Sequence, residues 1–333
     1  MKKILALAAS IMMLGTVAFA LTGCSDNPFV KALENTSDKA ESITASFDGI
    51  EIVSDTADLT FVASDECKIE YTTHKRIIYS TEVDSGILKI KLEDNRRWFQ
   101  KIFSFGDSSK LTVYLPAGEY SSLTITESTG DIAIPGGYTF GDVKIDLSTG
   151  DVCLNNVTCG NFNLKMSTGD VFINGINCAN FTSTGSTGDI SIGDMNANGD
   201  VYVERSTGAI SVNTAAISGK LETEVSTGKT TLSSITCADL KSVGSTADLT
   251  MSSVIASGQF YIDFGTGDVT FDRCDAAEIT VSVSTGDVTG TLLTPKIFQA
   301  HASTGKINVP ECWEGGKCKI NTSTGDIKIS IQE

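Results

Sequence analysis

The side chains best placed to do chemistry in this 333-residue chain recur at one position of a repeated tetrapeptide. Asp131, Asp151, Asp170 and Asp189 each close a Ser-Thr-Gly-Asp, and Asp248, Asp268, Asp287 and Asp326 hold the same place further along. Hard divalent cations favour clustered oxygen ligands, so a column of such carboxylates is a calcium candidate. Two features oppose that reading. The Gly-Gly-x-Gly-x-Asp nonapeptide of calcium-binding repeats is missing, and Lys229 and Lys306 interrupt the column as built-in counter-charges. Carboxylates about 5 Å apart repel by roughly 0.8 kcal/mol in water before screening, which solvated turns tolerate.

Catalytic chemistry finds little material. His74 and His301 stand alone, and no Ser-His-Asp set, paired-carboxylate motif or phosphate loop is legible, so no catalytic residue or cofactor is assigned. Nine cysteines are present, none in a Cys-x-x-Cys spacing, which argues against structural zinc. Cys159, Cys178 and Cys237 share one phase of the repeat, and Cys274 and Cys312 share another. Val, Ile, Leu and Ala otherwise fill those phases, so these thiols read as small buried hydrophobes. Bridges Cys159–Cys178 and Cys312–Cys318 are the alternatives. The segment from Asn95 to Phe105 concentrates cations and aromatics: Arg96, Arg97, Trp98, Phe99 and Lys101 are candidate contacts with a membrane or partner. The competing reading is an insertion whose aromatics cover an open end of the core.

Whatever these residues do, the repeat must position them. The tetrapeptide and its variants begin at Ser128, Ser148, Ser167, Ser186, Ser206, Ser226, Ser245, Gly265, Ser284, Ser303 and Ser323, in steps of 19 or 20 residues. Apolar residues alternate on both sides of it, as in Phe162/Leu164/Met166 before and Val171/Ile173 after, which is strand periodicity. One 20-residue unit cannot bury its apolar side alone, but stacked units can close a shared interior. The expected fold is all-β: a single-stranded parallel β-helix, or β-solenoid, with two strands and two bends per coil and a right-handed wind. Eleven coils at the strand spacing give a rod on the order of 50 Å long. Residues 128–333 form the regular array, and residues 46–127 read as diverged N-terminal coils and a cap, with Ser54-Asp55-Thr56-Ala57-Asp58 echoing Ser245-Thr246-Ala247-Asp248.

Residues 1–23 read as a secretory leader, with Lys2 and Lys3 ahead of an apolar run to Leu21. Leu21-Thr22-Gly23-Cys24 resembles the lipobox of bacterial lipoproteins, which makes Cys24 the lipidation site. Residues 24–45 then serve as a polar tether. The expected location is the bacterial cell envelope, outside the cytoplasm and lipid-anchored to the membrane through Cys24. A net charge of −16 argues against nucleic acid as a partner, because a phosphate backbone would be repelled.

From Phe47-Asp48-Gly49-Ile50 through Leu111-Thr112-Val113-Tyr114-Leu115-Pro116 into the Ser-Thr-Gly-Asp array, residues 46–333 resemble the DUF4097 family of bacterial β-strand-repeat proteins. The resemblance implies a single-stranded β-helix on a surface-displayed or lipid-anchored protein, under an adhesin label. It supplies no catalytic residues. The expected function is a non-catalytic surface scaffold for binding or adhesion, with a glycan or surface protein as ligand. The alternatives are a carbohydrate-active β-helix enzyme and an envelope-associated sensor or accessory protein that uses residues 95–105.

Overall fold

Strand alternation governs the chain throughout. The computed structural model describes residues 36–74, 77–94 and 109–332, and among them every regular element is a β-strand. Cys24, Arg96, Arg97, Trp98, Phe99 and Lys101 lie outside the described residues. Inward positions carry aliphatic and aromatic side chains, such as Val143, Ile145 and Leu147 in one coil and Phe162, Leu164 and Met166 in the next, all buried. Their parallel pairing, Val143 to Phe162, Ile145 to Leu164 and Leu147 to Met166, stacks like on like along the axis. The β-solenoid expected from the period is the fold of the described residues from Ser37 onward.

Each coil turns at three corners, not the two expected. The first is the tetrapeptide, where Gly150 has φ 142° and an added Cβ would stand 1.9 Å from the Gly130 carbonyl oxygen. The second falls eight residues after the tetrapeptide's first residue, at Asn156, Gly175, Asp194, Thr214, Ser234, Ser253 and Arg273, all with positive φ. Six residue types share that column, so composition hides it. The third returns the chain to the next rung near Gly160, Gly199 and Gly219, where an aspartate or asparagine of one coil caps the next: the Asn161 amide donates to Asp142 Oδ1 at 2.8 Å, and the Lys220 amide to Asp200 Oδ1 at 2.8 Å.

The ends of the stack depart from chain order. At the N-terminal end, β1 (Thr36–Ser42), β2 (Gly49–Thr56), β3 (Asp58–Ala63), β4 (Lys68–His74), β5 (Ile77–Asp84), β6 (Ile87–Asp94), β7 (Lys110–Leu115), β8 (Gly118–Thr129) and β9 (Ile132–Ile134) form the cap and first coils. The β2–β3 coil lies between the β6–β7 coil and the β8–β9 coil, pairing with both in parallel. The outermost rung, β6–β7, is covered by antiparallel partners: β5 along β6 and β4 along β7. β1, which lies wholly within the stretch read as tether, is instead a strand paired with β4.

Regular coils follow from β10 (Tyr138–Thr149) to β19 (Val269–Thr285). Then come β20 (Val288–Leu292), β21 (Lys296–Thr304), β22 (Ile307–Asn308), β23 (Gly316–Thr324) and β24 (Ile327–Ile331). The order inverts again: β23 pairs with β19 and β21, and β24 with β20 and β22. The last coil in sequence is therefore the penultimate rung in space, held on both edges.

Candidate functional site

The aspartate column is occupied by the backbone. The Asp170 amide donates to Asp151 Oδ1 at 2.8 Å, and the Asp189 amide to Asp170 Oδ1 at 2.8 Å. Each carboxylate thus supplies the acceptor for an N–H that the corner takes out of the sheet ladder. Among the described residues, no group of three or more His, Cys, Asp or Glu side chains is arranged to hold a metal ion. Asp131, Asp151, Asp170 and Asp189 thus stand as corner caps, each with one oxygen committed.

All eight cysteines from Cys67 to Cys318 are free thiols. Cys159, Cys178, Cys237 and Cys274 are buried, in register with aliphatic partners such as Ala197 beside Cys178 and Ala256 beside Cys237. Burial pushes the Cys178 thiol up to about 11 and Cys159 to about 12, so both are poor nucleophiles at neutral pH. Cys312 corrects the sequence reading. Its phase matches Cys274, but the chain leaves the wall after Asn308, and Cys312 sits half-buried in the connecting loop. Cys318 faces the core beneath Phe298. His301 is exposed on β21.

Three buried charged side chains went unnoticed in the sequence: Lys296, which pairs with Asp275 at 2.6 Å, and two in one inward column. The residue just before each tetrapeptide forms an inward column: Glu127, Leu147, Met166, Gly185, Arg205 and Val225 in successive rungs. Arg205 is 1% exposed; its guanidinium donates to the Glu204 carbonyl at 2.7 Å and to Ser183 Oγ at 3.2 Å, while Nε has no partner. Gly185 makes the space, since a Cβ there would fall 3.0 Å from Nη1. Burial lowers the Arg205 pKa to about 10. Glu127 is 2% exposed; burial raises its pKa to about 8 against the opposing pull of the Ala57 amide, which donates at 3.0 Å. A charge symbol in an otherwise apolar phase was the available signal.

On the outer wall, one patch is built rather than merely solvated. Tyr202, Glu222 and Lys241 occupy successive rungs in register. The Tyr202 hydroxyl reaches Glu204 and Glu224 at 3.1 Å each, Lys241 bonds Glu222 and lies 3.4 Å from Glu224, and Lys220 also pairs with Glu222. Burial works to raise the Glu222 pKa, but the hydrogen bonds from Lys220 and Lys241 overcome it and hold the carboxyl below its ordinary value. Beside this network lies an open hollow of about 410 Å³, lined by Lys220, Asp239, Leu240, Lys241, Gln259 and Tyr261. Tyr261 is 42% exposed. An aromatic face among fixed polar groups suits a ligand with both apolar and hydroxylated surfaces.

The Toastrack DUF4097 family model matches residues 47–240 and 199–333, which spans nearly the whole solenoid. The chain belongs to the DUF4097 family. Among solved structures, a candidate adhesin from Bacteroides fragilis is similar at 12% identity, covering 89% of this chain and 98% of its own, with a TM-score of 0.35. A candidate lipid-binding protein from Parabacteroides distasonis is 17% identical over 89% of this chain and 97% of its own, TM-score 0.42. A candidate adhesin from Parabacteroides merdae is 10% identical over 89% and 96%, TM-score 0.36. No curated protein matches the chain. Within this DUF4097 chain, no helix of the described residues is long and apolar enough to cross a membrane.

Proposed function

We propose that this protein is a non-catalytic binding scaffold displayed on the cell envelope, tethered by a lipidated Cys24, with its ligand meeting the long flank of the solenoid. The observation that carries the reading is the wall patch from Tyr202 to Tyr261, where salt bridges hold polar groups in place beside an exposed ring. Pre-organised side chains on a stiff wall lose little freedom on binding, so even shallow contacts retain their affinity. The hollow there is open, with no enclosing loops to exclude water, and that supports binding over turnover. A glycan or surface protein is the ligand class.

The test is a glycan array and surface-protein capture with the full chain in detergent. Specific binding should weaken about tenfold or more in Tyr261→Ala, a loss of at least roughly 1.4 kcal/mol. Binding indifferent to Tyr261→Ala and Tyr202→Phe would remove the patch from the reading. Release of shortened products from a polysaccharide would replace it with an enzyme. Cys24→Ser should move the protein from the membrane fraction to the soluble fraction.

A further inference from the structure

The two ends of the solenoid are not alike. The N-terminal rung is covered by β4 and β5, whereas the terminal rung at the other end, β21 and β22, pairs on one side only among the described residues. Its inward positions stay partly open: Phe298, Ala300 and Ala302 pack on the core from one side, and Ile307 is 46% exposed. β22 stops at Asn308, so beyond Lys328 the edge of β24 that faced it has no strand partner among the described residues, while its other edge stays paired with β20. An open groove of about 530 Å³ lies there, lined by Thr291, Val309, Pro310, Ile329 and others. The loop that forms one wall with Val309 and Pro310 also carries Trp313, which is 89% exposed.

We propose that this end is an isologous contact between two copies of the chain, in which Trp313 of each copy seats in the other's groove, on the β20–β24 wall past the end of β22. Three observations choose a second copy as occupant. Knob and hollow lie on one end, which is what a two-fold contact requires, since each surface must meet its own image. The edge left open is a strand edge, for which the matching edge of an identical chain is a suitable partner. Charge is complementary: Glu311 and Glu314 flank Trp313 on the knob loop, and Lys328 lines the groove that would receive it. Trp is also the side chain that most often dominates the energy of such contacts.

Sedimentation of the full chain in non-ionic detergent tests this. The expected result is a concentration-dependent dimer whose dissociation constant rises about tenfold or more in Trp313→Ala, with the melting midpoint unchanged, because so exposed a ring supports no core. In a Trp98→Phe background, Trp313 emission should shift to the blue as the dimer forms. Cys312, beside the knob, should give a bismaleimide-linked dimer that Cys312→Ser abolishes. Ile307→Lys, on the same open rung, should weaken the dimer as well. A monomer at all concentrations up to roughly 100 µM overturns the proposal. So does a dimer indifferent to both Trp313→Ala and Ile307→Lys, which is also what association through lipid or leader segments would give.

Discussion

The Asp151 amide donates to Asp131 Oδ1 at 2.8 Å, across one rung of the solenoid. The contact recurs upward through Asp170 and Asp189 to the Ala209 amide, so one carboxylate per coil caps the coil above it. Ala209 and Lys229 carry no carboxylate to offer, and the ladder resumes at Asp248. These aspartates therefore serve the backbone first, and their mutual repulsion is the smaller effect. A charge-assisted bond to an N–H is worth roughly 1.5–3 kcal/mol, against less than 1 kcal/mol of screened repulsion.

Replacing one rung's acceptor should separate capping from metal binding. Asp170→Ala is expected to destabilise the fold by about 1 kcal/mol, and Asp170→Asn by a few tenths, since its carbonyl oxygen still accepts the Asp189 amide. Denaturant melts with and without EDTA should coincide for the unmodified chain. A midpoint raised by calcium, and lost in Asp170→Asn, would show the second carboxylate oxygens bridging a cation.

The corner glycine is set by space as well as by φ. At Gly169, φ is 137° and a Cβ would stand 1.9 Å from the Gly150 carbonyl oxygen. Gly169→Ala should cost roughly 3 kcal/mol or more, through a backbone that must shift. Ala247 holds the same phase without a positive φ, so Ala247→Gly should cost only about 0.5–1 kcal/mol. Comparable losses at both sites in thermal melts would refute this account of the corner.

Glu127 makes the N-terminal coils pH-sensitive. Its folded pKa of about 8 lies above the ordinary carboxylate value of 4.5, because burial favours the neutral acid. A raised pKa means the folded state holds the proton more tightly. That stabilisation is complete below pH 4.5 and is lost as pH rises through about 8. Stability should therefore fall between those limits, and Glu127→Gln should flatten the fall. Urea midpoints of the two proteins, measured at several pH values, give the comparison. Equal slopes would mean that the carboxyl is solvated.

The period made the coil legible, and alternation told inside from outside, because both rest on local chemistry that each unit repeats. What stayed hidden was set by neighbours. Asn156, Gly175, Asp194, Thr214 and Arg273 share a left-handed corner yet share no composition. Arg205 is tolerated inside only because Gly185, a rung away, leaves room for it. Tyr202, Glu222 and Lys241 look like ordinary surface residues 19 or 20 apart until stacking puts them side by side. The inversion at either end was least accessible, since Ile320 has the same sequence pattern whichever rung it joins.

That inversion has a consequence for how the C-terminal end opens. In a stack that followed chain order, damage to the last coil would free that coil alone. Here β23 and β24 lie between β19–β20 and β21–β22, so the terminal rung depends on the last coil for its only wall contacts among the described strands. Ile320 is fully buried in β23, pairing with Val281 on one side and Ala300 on the other. A carboxylate there cannot be buried without a partner, and the coil should be expelled. Ile320→Asp is expected to remove hydrogen-exchange protection from residues 296–308 together with 316–331, while strands before Val269 keep theirs. Protection retained over 296–308 would mean that β21 and β22 hold to the wall by themselves, and the interposed order would be wrong.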